Sequence, residues 1–163
     1  QLFQMEAYPQ VEKELKEIHQ ISKDSMNEVR TIVENLKSRT LTSELETVKK
    51  MLEIAGIEVE IANQLDTASL TQELESTASM ILLELVTNII KHAKASKVYL
   101  KLERTEKELI LTVGDDGCGF VSIKGDDLHT VRDRVLPFSG EVKVISWKQP
   151  TEVQVRLPYK ERK

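Results

Sequence analysis

The sequence is poor in residues that form disulfides, thiolate metal clusters and membrane spans. Cys118 is its only cysteine, so an internal disulfide or a cluster of several thiolates is excluded, and a reducing compartment is expected. No apolar run reaches the roughly 20 residues that a membrane-spanning helix needs, and no signal peptide is recognisable. Basic residues do not exceed acidic ones, and the net charge of -4 gives no basic surface for nucleic acid. These features predict a cytoplasmic protein that does not bind nucleic acid.

The composition and length indicate one globular domain with an appendage. Of the 163 residues, 40% are hydrophobic and 31% charged, which is typical of a soluble protein with a core. The hydrophobic pattern changes near residue 40. We therefore predict two parts, residues 1–40 and residues 41–163, and we expect the chain to be a piece of a larger protein.

The first part is predicted to contain a long helix over residues 10–38. Apolar or small residues recur there at alternating spacings of four and three, which is a heptad pattern. They are Val11, Leu15, Ile18, Ser22, Ser25, Val29, Ile32 and Leu36. We interpret the helix as one arm of a helical hairpin that forms a homodimer. The alternative is a long helix that lies on its own domain.

The second part alternates helical and strand patterns. A helix capped by Thr42 or Ser43 and ended by Gly56 precedes a strand at residues 57–61. A long helix from Thr71 to about Lys94, two strands, a helix over residues 127–138 and a final strand pair follow. This order predicts an α+β fold, a two-layer α/β sandwich with a largely antiparallel sheet and helices on one face.

The long central helix carries four polar side chains on one stripe. Glu84, Asn88, Lys91 and His92 follow the spacing i, i+4, i+7, i+8, whereas apolar residues occupy the rest of the circumference. Polar groups on a buried helix must meet water, an ion or a ligand. The alternative is a solvated face with pairs between successive turns.

A strand that ends in an acidic, glycine-rich turn follows this helix. Residues 109–113 are mostly apolar and lead into Gly114-Asp-Asp-Gly-Cys-Gly119. The helix motif E-x-x-x-N-x-x-K-H together with this D-x-G-x-G turn resembles the nucleotide-binding domain of sensor histidine kinases. Within that family the helix is most similar to the subfamily of nitrate and membrane-fluidity sensors. The resemblance covers almost the whole chain and implies the histidine kinase/gyrase/Hsp90-like ATP-binding fold, with ATP and Mg²⁺ as cofactors.

The resemblance assigns roles to the helix stripe. Asn88 occupies the position of the asparagine that coordinates the Mg²⁺ bridging the ATP phosphates, and an amide oxygen suits this ion. Glu84 would orient a metal-bound water. Lys91 and His92 would lie near phosphate oxygens, where a cation or an imidazole N–H is favourable. For His92 an ordinary structural role is the alternative.

The resemblance also assigns roles to the glycine-rich turn. Asp115 matches the aspartate that accepts a hydrogen bond from the exocyclic amine of adenine. Gly117 and Gly119 match the glycines that allow the backbone to turn beside the base. A simple hairpin turn is the alternative for this segment.

The likeness is weaker in the next motif. Gly125, Leu128 and Arg132 match a second glycine motif that contributes to ATP binding, but Asp127 replaces its second glycine, and the flexible lid before it is very short. Asp126 and Asp127 would place carboxylates where the phosphates bind, so we expect ATP to gain little affinity over ADP.

The resemblance implies a fragment of a two-component sensor kinase whose parent transfers phosphate to its own histidine and then to a response regulator receiver domain. The acceptor histidine, which an acidic residue follows, is absent, because His19 is followed by Gln20. The parent is expected to be attached to a membrane, and this fragment is not. Two alternatives stay open: a non-catalytic signalling or degenerate nucleotide-binding module of the same fold, and an ATPase or anti-sigma kinase of the same superfamily.

Overall fold

The structure, a computed structural model, describes residues 14–23, 25, 40–65, 70–119 and 128–159. The chain divides into two units, residues 1–38 and residues 39–163. None of the described helices is both long and apolar enough to cross a membrane.

The first unit is described over residues 14–23 and 25, which are helical as predicted, and their side chains are exposed. The exposed side chains include Leu15, Ile18 and Ile21, each more than 60% accessible. The other residues of the predicted 10–38 helix lie outside the described part, and its role in a homodimer stays a prediction. An exposed apolar stripe of this kind is unusual for a helix without a partner.

The second unit is a sheet of five strands covered by helices. Its elements are α1 (Leu41–Ile54), β1 (Glu58–Asn63), α2 (Gln72–Asn88), β2 (Lys97–Arg104), β3 (Glu108–Asp115), α3 (His129–Val135), β4 (Glu141–Trp147) and β5 (Thr151–Pro158). The strand order is β1-β2-β3-β5-β4, with β1 parallel to β2 and every other neighbouring pair antiparallel. The predicted α+β sandwich with a largely antiparallel sheet is confirmed.

The core lies between the helices and one face of the sheet. Alternate residues of β2 and β5 are buried, because successive side chains of a strand point to opposite faces. Val98, Leu100 and Leu102 of β2 meet Leu82 and other apolar residues of the helices in one cluster. The opposite face carries ion pairs such as Lys101–Glu103, with 2.7 Å between Nζ and Oε1. Strands β2 and β5 therefore have one apolar and one polar face.

Two helix starts and one helix end follow local capping chemistry. Thr40, and not Thr42 or Ser43 as predicted, caps α1, and its hydroxyl accepts a hydrogen bond from the Ser43 N–H. Thr71 caps α2 in the same way through the N–H of Leu74. Gly56 has φ +74° directly after α1, a left-handed conformation that glycine adopts without a steric penalty.

Helix α2 does not end as a regular α-helix. Its last turn, Ile89–Ala93, is a π-helix, and Lys94 then adopts a left-handed conformation with φ 51°. The predicted extent, Thr71 to about Lys94, is confirmed, but the change of helix type was not foreseen. Single π-helical turns occur frequently at functional sites because they rotate the side chains that follow.

Helix α3 is shorter than predicted. It begins at His129, two residues after the predicted start, and a short 3-10 turn, Leu136–Phe138, continues it. Leu128 occupies its N-cap position without a side-chain hydrogen bond. Asp126 and Asp127, which the sequence analysis expects near the phosphates, lie outside the described residues.

Candidate functional site

A cavity of about 470 Å³ lies between α2 and the sheet. The ends of β3 and β5 form its floor, and α2 with its π-helical turn forms one wall. The turn after β3 and the start of α3 complete it. The lining residues are Glu84, Leu85, Asn88, Ile89, His92, Ala93, Val113, Asp115, Cys118, Gly119, Leu128, His129, Thr130, Thr151 and Val153.

Two pairs of residues from neighbouring strands form the floor. Val113 of β3 pairs with Val153 of β5, and Asp115 pairs with Thr151 one step along the same ladder. The apolar pair and the polar pair therefore lie side by side, because residues two apart on a strand share a face. This arrangement offers a flat apolar surface with a carboxylate and a hydroxyl at one end.

Asp115 is a buried carboxylate with one satisfied oxygen. Only 7% of the residue is exposed, and its Oδ1 accepts a hydrogen bond of 2.8 Å from the N–H of Gly117. Within the described part of the chain its other oxygen has no hydrogen bond. Burial raises the pKa of the Asp115 carboxyl above its usual value, and the Gly117 hydrogen bond opposes this effect only in part. The free oxygen is thus an acceptor at the floor of the cavity.

Thr151 carries a second unsatisfied polar atom at the same place. The residue is 4% exposed, and no described residue forms a hydrogen bond with its Oγ1. A buried hydroxyl without a partner costs about 1–3 kcal/mol, so such atoms usually face a ligand or an ordered water. Our sequence analysis missed Thr151, because only the pairing of β3 with β5 brings it next to Asp115.

The helix wall contains three of the four predicted stripe residues. Glu84, Asn88 and His92 line the cavity at successive spacings of four, whereas Lys91 does not, although Lys91 and His92 are both exposed residues. The π-helical turn explains the difference. A π-helix has more residues per turn than an α-helix. His92, four positions after Asn88, therefore stays on the same helix face as Asn88, whereas Lys91, three positions after it, is rotated away from that face.

The two glycines of the acidic turn have different positions. Gly119 lines the cavity and has φ +75°. Gly117 is buried beside it, and a Cβ at this position would lie 2.3 Å from the backbone oxygen of Ala93. Gly117 therefore lets the acidic turn pack directly against the end of the π-helical turn. Gly117 itself does not line the cavity.

The remaining predicted residues come from the second glycine motif. Leu128 lines the cavity together with His129 and Thr130, two residues that the sequence analysis did not select. Arg132 is exposed on α3 and lies outside the lining. Gly125 lies outside the described residues, as does the short lid.

The polar groups of the cavity suit a metal ion that is bound partly by the protein and partly by a ligand. They do not form a complete coordination shell by themselves. Among the described residues, no group of three or more His, Cys, Asp or Glu side chains is placed to bind a metal ion. Asn88 and Glu84 nevertheless offer hard oxygen donors one helical turn apart on the cavity wall. Mg²⁺ is commonly held by one or two side-chain oxygens together with waters and phosphate oxygens, so this donor set fits that ion.

The cavity therefore has two chemically distinct sides, the strand floor and the helix wall. On the floor a carboxylate and a hydroxyl lie beside the apolar pair Val113 and Val153. On the wall are the amide of Asn88, the carboxylate of Glu84 and the imidazole of His92. A planar ring with an amino group would match the floor, and a metal-bound anion would match the wall.

Comparison with known proteins agrees with this arrangement. Residues 73–161 match the family described as histidine kinase-, DNA gyrase B-, and HSP90-like ATPase. Sensor histidine kinase DesK of Bacillus subtilis is 35% identical over 118 residues, which is 72% of this chain and 31% of the relative. Sensor histidine kinase YvfT of the same species is 28% identical over 147 residues, 89% of this chain and 39% of that protein. The chain thus spans about a third of the length of these relatives.

Solved structures support the same fold. The histidine kinase domain of the blue-light-activated histidine kinase of Erythrobacter litoralis superposes with a TM-score of 0.61 at 22% identity, covering 75% of this chain and 62% of that one. The Acinetobacter baumannii histidine kinase AdeS gives a TM-score of 0.61 at 17% identity, covering 78% of this chain and 72% of the other. At these identities the likeness is one of fold.

Proposed function

The chain belongs to the histidine kinase-, DNA gyrase B-, and HSP90-like ATPase family as the ATP-binding domain of a sensor histidine kinase, and we propose that its cavity binds adenine nucleotide together with Mg²⁺. The observation that carries the proposal is a pair of polar atoms on the cavity floor that form no hydrogen bond with any described residue, the second carboxylate oxygen of Asp115 and the hydroxyl of Thr151. Both lie beside an apolar surface large enough for a base.

The floor residues select the base. The Asp115 carboxylate accepts a hydrogen bond from the exocyclic amine of adenine, whereas guanine presents a carbonyl oxygen that would repel it. The Thr151 hydroxyl supplies a second polar contact, directly or through a water. Val113 and Val153 contact the ring face. The floor and the helix wall that carries Asn88 line the same cavity.

The wall residues act at the phosphates. Asn88 would hold Mg²⁺ through its amide oxygen, Glu84 would orient a water at the ion, and His92 would direct an imidazole N–H towards a phosphate oxygen. Lys91, Gly125 and Arg132 remain proposed contributors to ATP binding; of these, Lys91 and Arg132 do not line the cavity. When bound, Mg-ATP supplies the transferable phosphoryl group, and the protein contributes positioning and charge neutralisation.

In the parent protein, the domain would serve autophosphorylation of a histidine outside this chain and transfer of the phosphoryl group to a response regulator receiver domain. The residue 10–38 helix would form a homodimer with its copy. The relatives of known name are sensor histidine kinases, which supports this setting. We place the domain on the cytoplasmic side of a membrane-attached sensor.

Titration calorimetry with ADP in the presence of Mg²⁺ tests the proposal. We expect Asp115→Asn to abolish measurable binding, because the amide keeps one acceptor but presents a donor to the adenine amine. Thr151→Val should weaken binding about five- to thirtyfold, the equivalent of one hydrogen bond of about 1–2 kcal/mol. Asn88→Ala should weaken the binding of ADP in the presence of Mg²⁺ but leave the affinity for adenosine unchanged.

The matched control is Thr112→Val, a buried threonine of β3 that does not line the cavity. It should leave affinity unchanged. If the affinity for ADP were unchanged in both Asp115→Asn and Thr151→Val, the nucleotide would bind elsewhere and the proposal would be contradicted.

A further inference from the structure

Two turns meet at one end of the cavity. The helix-end turn, residues 93–97, leads from the π-helical turn into β2 and contains the left-handed Lys94. The acidic turn, residues 115–119, follows β3. Cavity-lining residues come from both, since Ala93 belongs to the first and Asp115, Cys118 and Gly119 to the second. The spacing between the two turns therefore sets the shape of the site.

The Asp116 carboxylate joins the two turns. Its Oδ1 accepts hydrogen bonds of 2.8 Å from the backbone N–H groups of both Ser96 and Lys97. Its Oδ2 accepts a hydrogen bond from the Ser96 hydroxyl. One side chain of the acidic turn thus satisfies three donors of the helix-end turn.

Backbone contacts extend the same junction. The N–H of Cys118 donates to the Ala93 oxygen at 2.8 Å, and the N–H of Asp116 donates to the Lys97 oxygen at 3.2 Å. The absence of a side chain at Gly117 is what permits this approach. The junction is therefore continuous from the base-binding residue Asp115 to the end of the helix that carries Asn88 and His92.

The Asp116 side chain itself does not line the cavity. The hydroxyl of Ser96 and the two backbone N–H groups lower the pKa of its carboxyl below the usual range, so it is ionised at neutral pH. The neighbouring ammonium of Lys97 lies 2.7 Å from Glu60 and 3.5 Å from Glu58 on β1. Lys97 is thus paired with β1, and the Asp116 carboxylate contacts the helix-end turn through hydrogen bonds.

We propose that Asp116 is a positioning residue for nucleotide binding, which holds the base-binding turn against the end of the phosphate-side helix through Ser96 and Lys97. The inference rests on the proposed function of the cavity. A ligand that contacts both the acidic turn and the helix wall needs them at a constant separation, and misplacement by a fraction of an ångström weakens every contact at once.

Asp116→Ala, Asp116→Asn and Ser96→Ala test this role. Alanine removes all three hydrogen bonds. Asparagine keeps them, because its Oδ1 accepts from both backbone N–H groups while its Nδ2 donates to the Ser96 hydroxyl oxygen. Ser96→Ala removes only the hydroxyl contact. The matched control is Glu141→Ala, which removes a surface carboxylate paired with Lys143 at the sheet edge, away from the cavity.

Two measurements separate positioning from a purely structural role. Calorimetry with ADP and Mg²⁺ is performed well below the melting temperature of each variant. We expect Asp116→Ala to weaken binding about tenfold or more, Ser96→Ala to have a smaller effect, and Asp116→Asn and Glu141→Ala to stay within about twofold of the native protein. The second measurement is the reaction rate of Cys118, the only thiol, with an aromatic disulfide in the absence of nucleotide. Asp116→Ala should raise this rate severalfold, whereas Asp116→Asn should react at the native rate.

Native affinity in Asp116→Ala at a temperature where it is folded, even with a lowered melting temperature, would contradict the proposal. Equal damage by asparagine and alanine would also contradict it, because it would implicate the charge and not the hydrogen bonds. If the native chain bound no adenine nucleotide, the proposed function would fail instead. The thiol rates would then still decide whether Asp116 holds the turn. Should Asp116→Ala not fold, Ser96→Ala decides by the same two measurements.

Discussion

Asp115 carries a charge at a place where the fold would be more stable without it. Burial is the main cause of its raised pKa, and the nearby Asp116 adds to the effect. A carboxyl whose pKa is higher in the folded than in the unfolded state destabilises the fold at neutral pH, and this cost disappears as the pH falls through the raised pKa. This destabilisation of the fold by the buried Asp115 charge is consistent with a carboxylate that serves ligand binding.

We therefore predict that Asp115→Asn melts at a higher temperature than the native protein at pH 7, although it no longer binds nucleotide. The amide keeps the acceptor for the Gly117 N–H and removes the buried charge. The difference in melting temperature should shrink as the pH falls towards 3.8, the ordinary value for an aspartate. Thermal unfolding followed by circular dichroism between pH 7 and pH 4 measures it.

The control for this prediction is Asp133→Asn, an exposed aspartate on α3. It should change the melting temperature little at any pH. A lower melting temperature of Asp115→Asn at pH 7 would mean that the hydrogen bond from Gly117 outweighs the cost of burial.

At the scale of elements, the site depends on the close approach of the acidic turn to the π-helical turn. A Cβ on residue 117 would lie 2.3 Å from the Ala93 oxygen and 2.7 Å from Oδ1 of Asp115. Both contacts are shorter than atoms tolerate, so the two turns would have to separate. Gly56 offers a contrast, because it has a positive φ but open space where a Cβ would lie.

We predict that Gly117→Ala lowers the free energy of unfolding by about 1–3 kcal/mol, as overpacking does, and weakens ADP binding at least tenfold, a ratio worth about 1.4 kcal/mol. Gly56→Ala should cost about 1 kcal/mol through its left-handed backbone and leave ADP binding unchanged. Urea unfolding and calorimetry on both variants provide the comparison. Unchanged affinity in Gly117→Ala would show that the turn tolerates a shift.

At the scale of the whole molecule, the exposed apolar residues of the first unit predict self-association. Leu15 and Ile18 are each more than 60% exposed on the described helix and belong to the heptad pattern. We expect the native chain to be a dimer in light scattering at micromolar concentrations. Leu15→Gln combined with Ile18→Gln should make it a monomer, because the apolar area that drives helix pairing is lost.

The control for the dimer prediction is Glu14→Gln combined with Lys23→Gln, two exposed charged residues outside the heptad pattern. This variant should remain a dimer. A native chain that is monomeric across the concentration range would contradict the interpretation of the heptad pattern.

A second prediction at this scale concerns the phosphoacceptor. The chain contains three histidines, His19, His92 and His129, and none is followed by an acidic residue. Incubation with ATP labelled in the γ-phosphate and with Mg²⁺ should therefore leave the chain unlabelled, although calorimetry detects nucleotide. Acid-labile label that disappears in His19→Gln would contradict this reading.

The elements and several of the cavity residues could be predicted from the chain alone, because they depend on short-range patterns. The polar stripe Glu84, Asn88 and His92 lies on one helix, and Asp115 follows directly from its strand. Alternating apolar and polar residues along β2 and β5 match their buried and partly exposed positions, because successive side chains of a strand point to opposite faces. The resemblance to sensor kinases then connected helix and turn.

Other features depend on contacts between distant segments, which no local pattern contains. Thr151 is 36 positions from Asp115 along the chain and becomes its neighbour only through the β3–β5 ladder. The π-helical turn that removes Lys91 from the cavity rests against the acidic turn through Ala93. The link from Asp116 to Ser96 and Lys97 likewise joins residues about 20 positions apart. Local periodicity specifies which face of an element is buried, whereas the packing of the elements decides which side chains meet across the cavity.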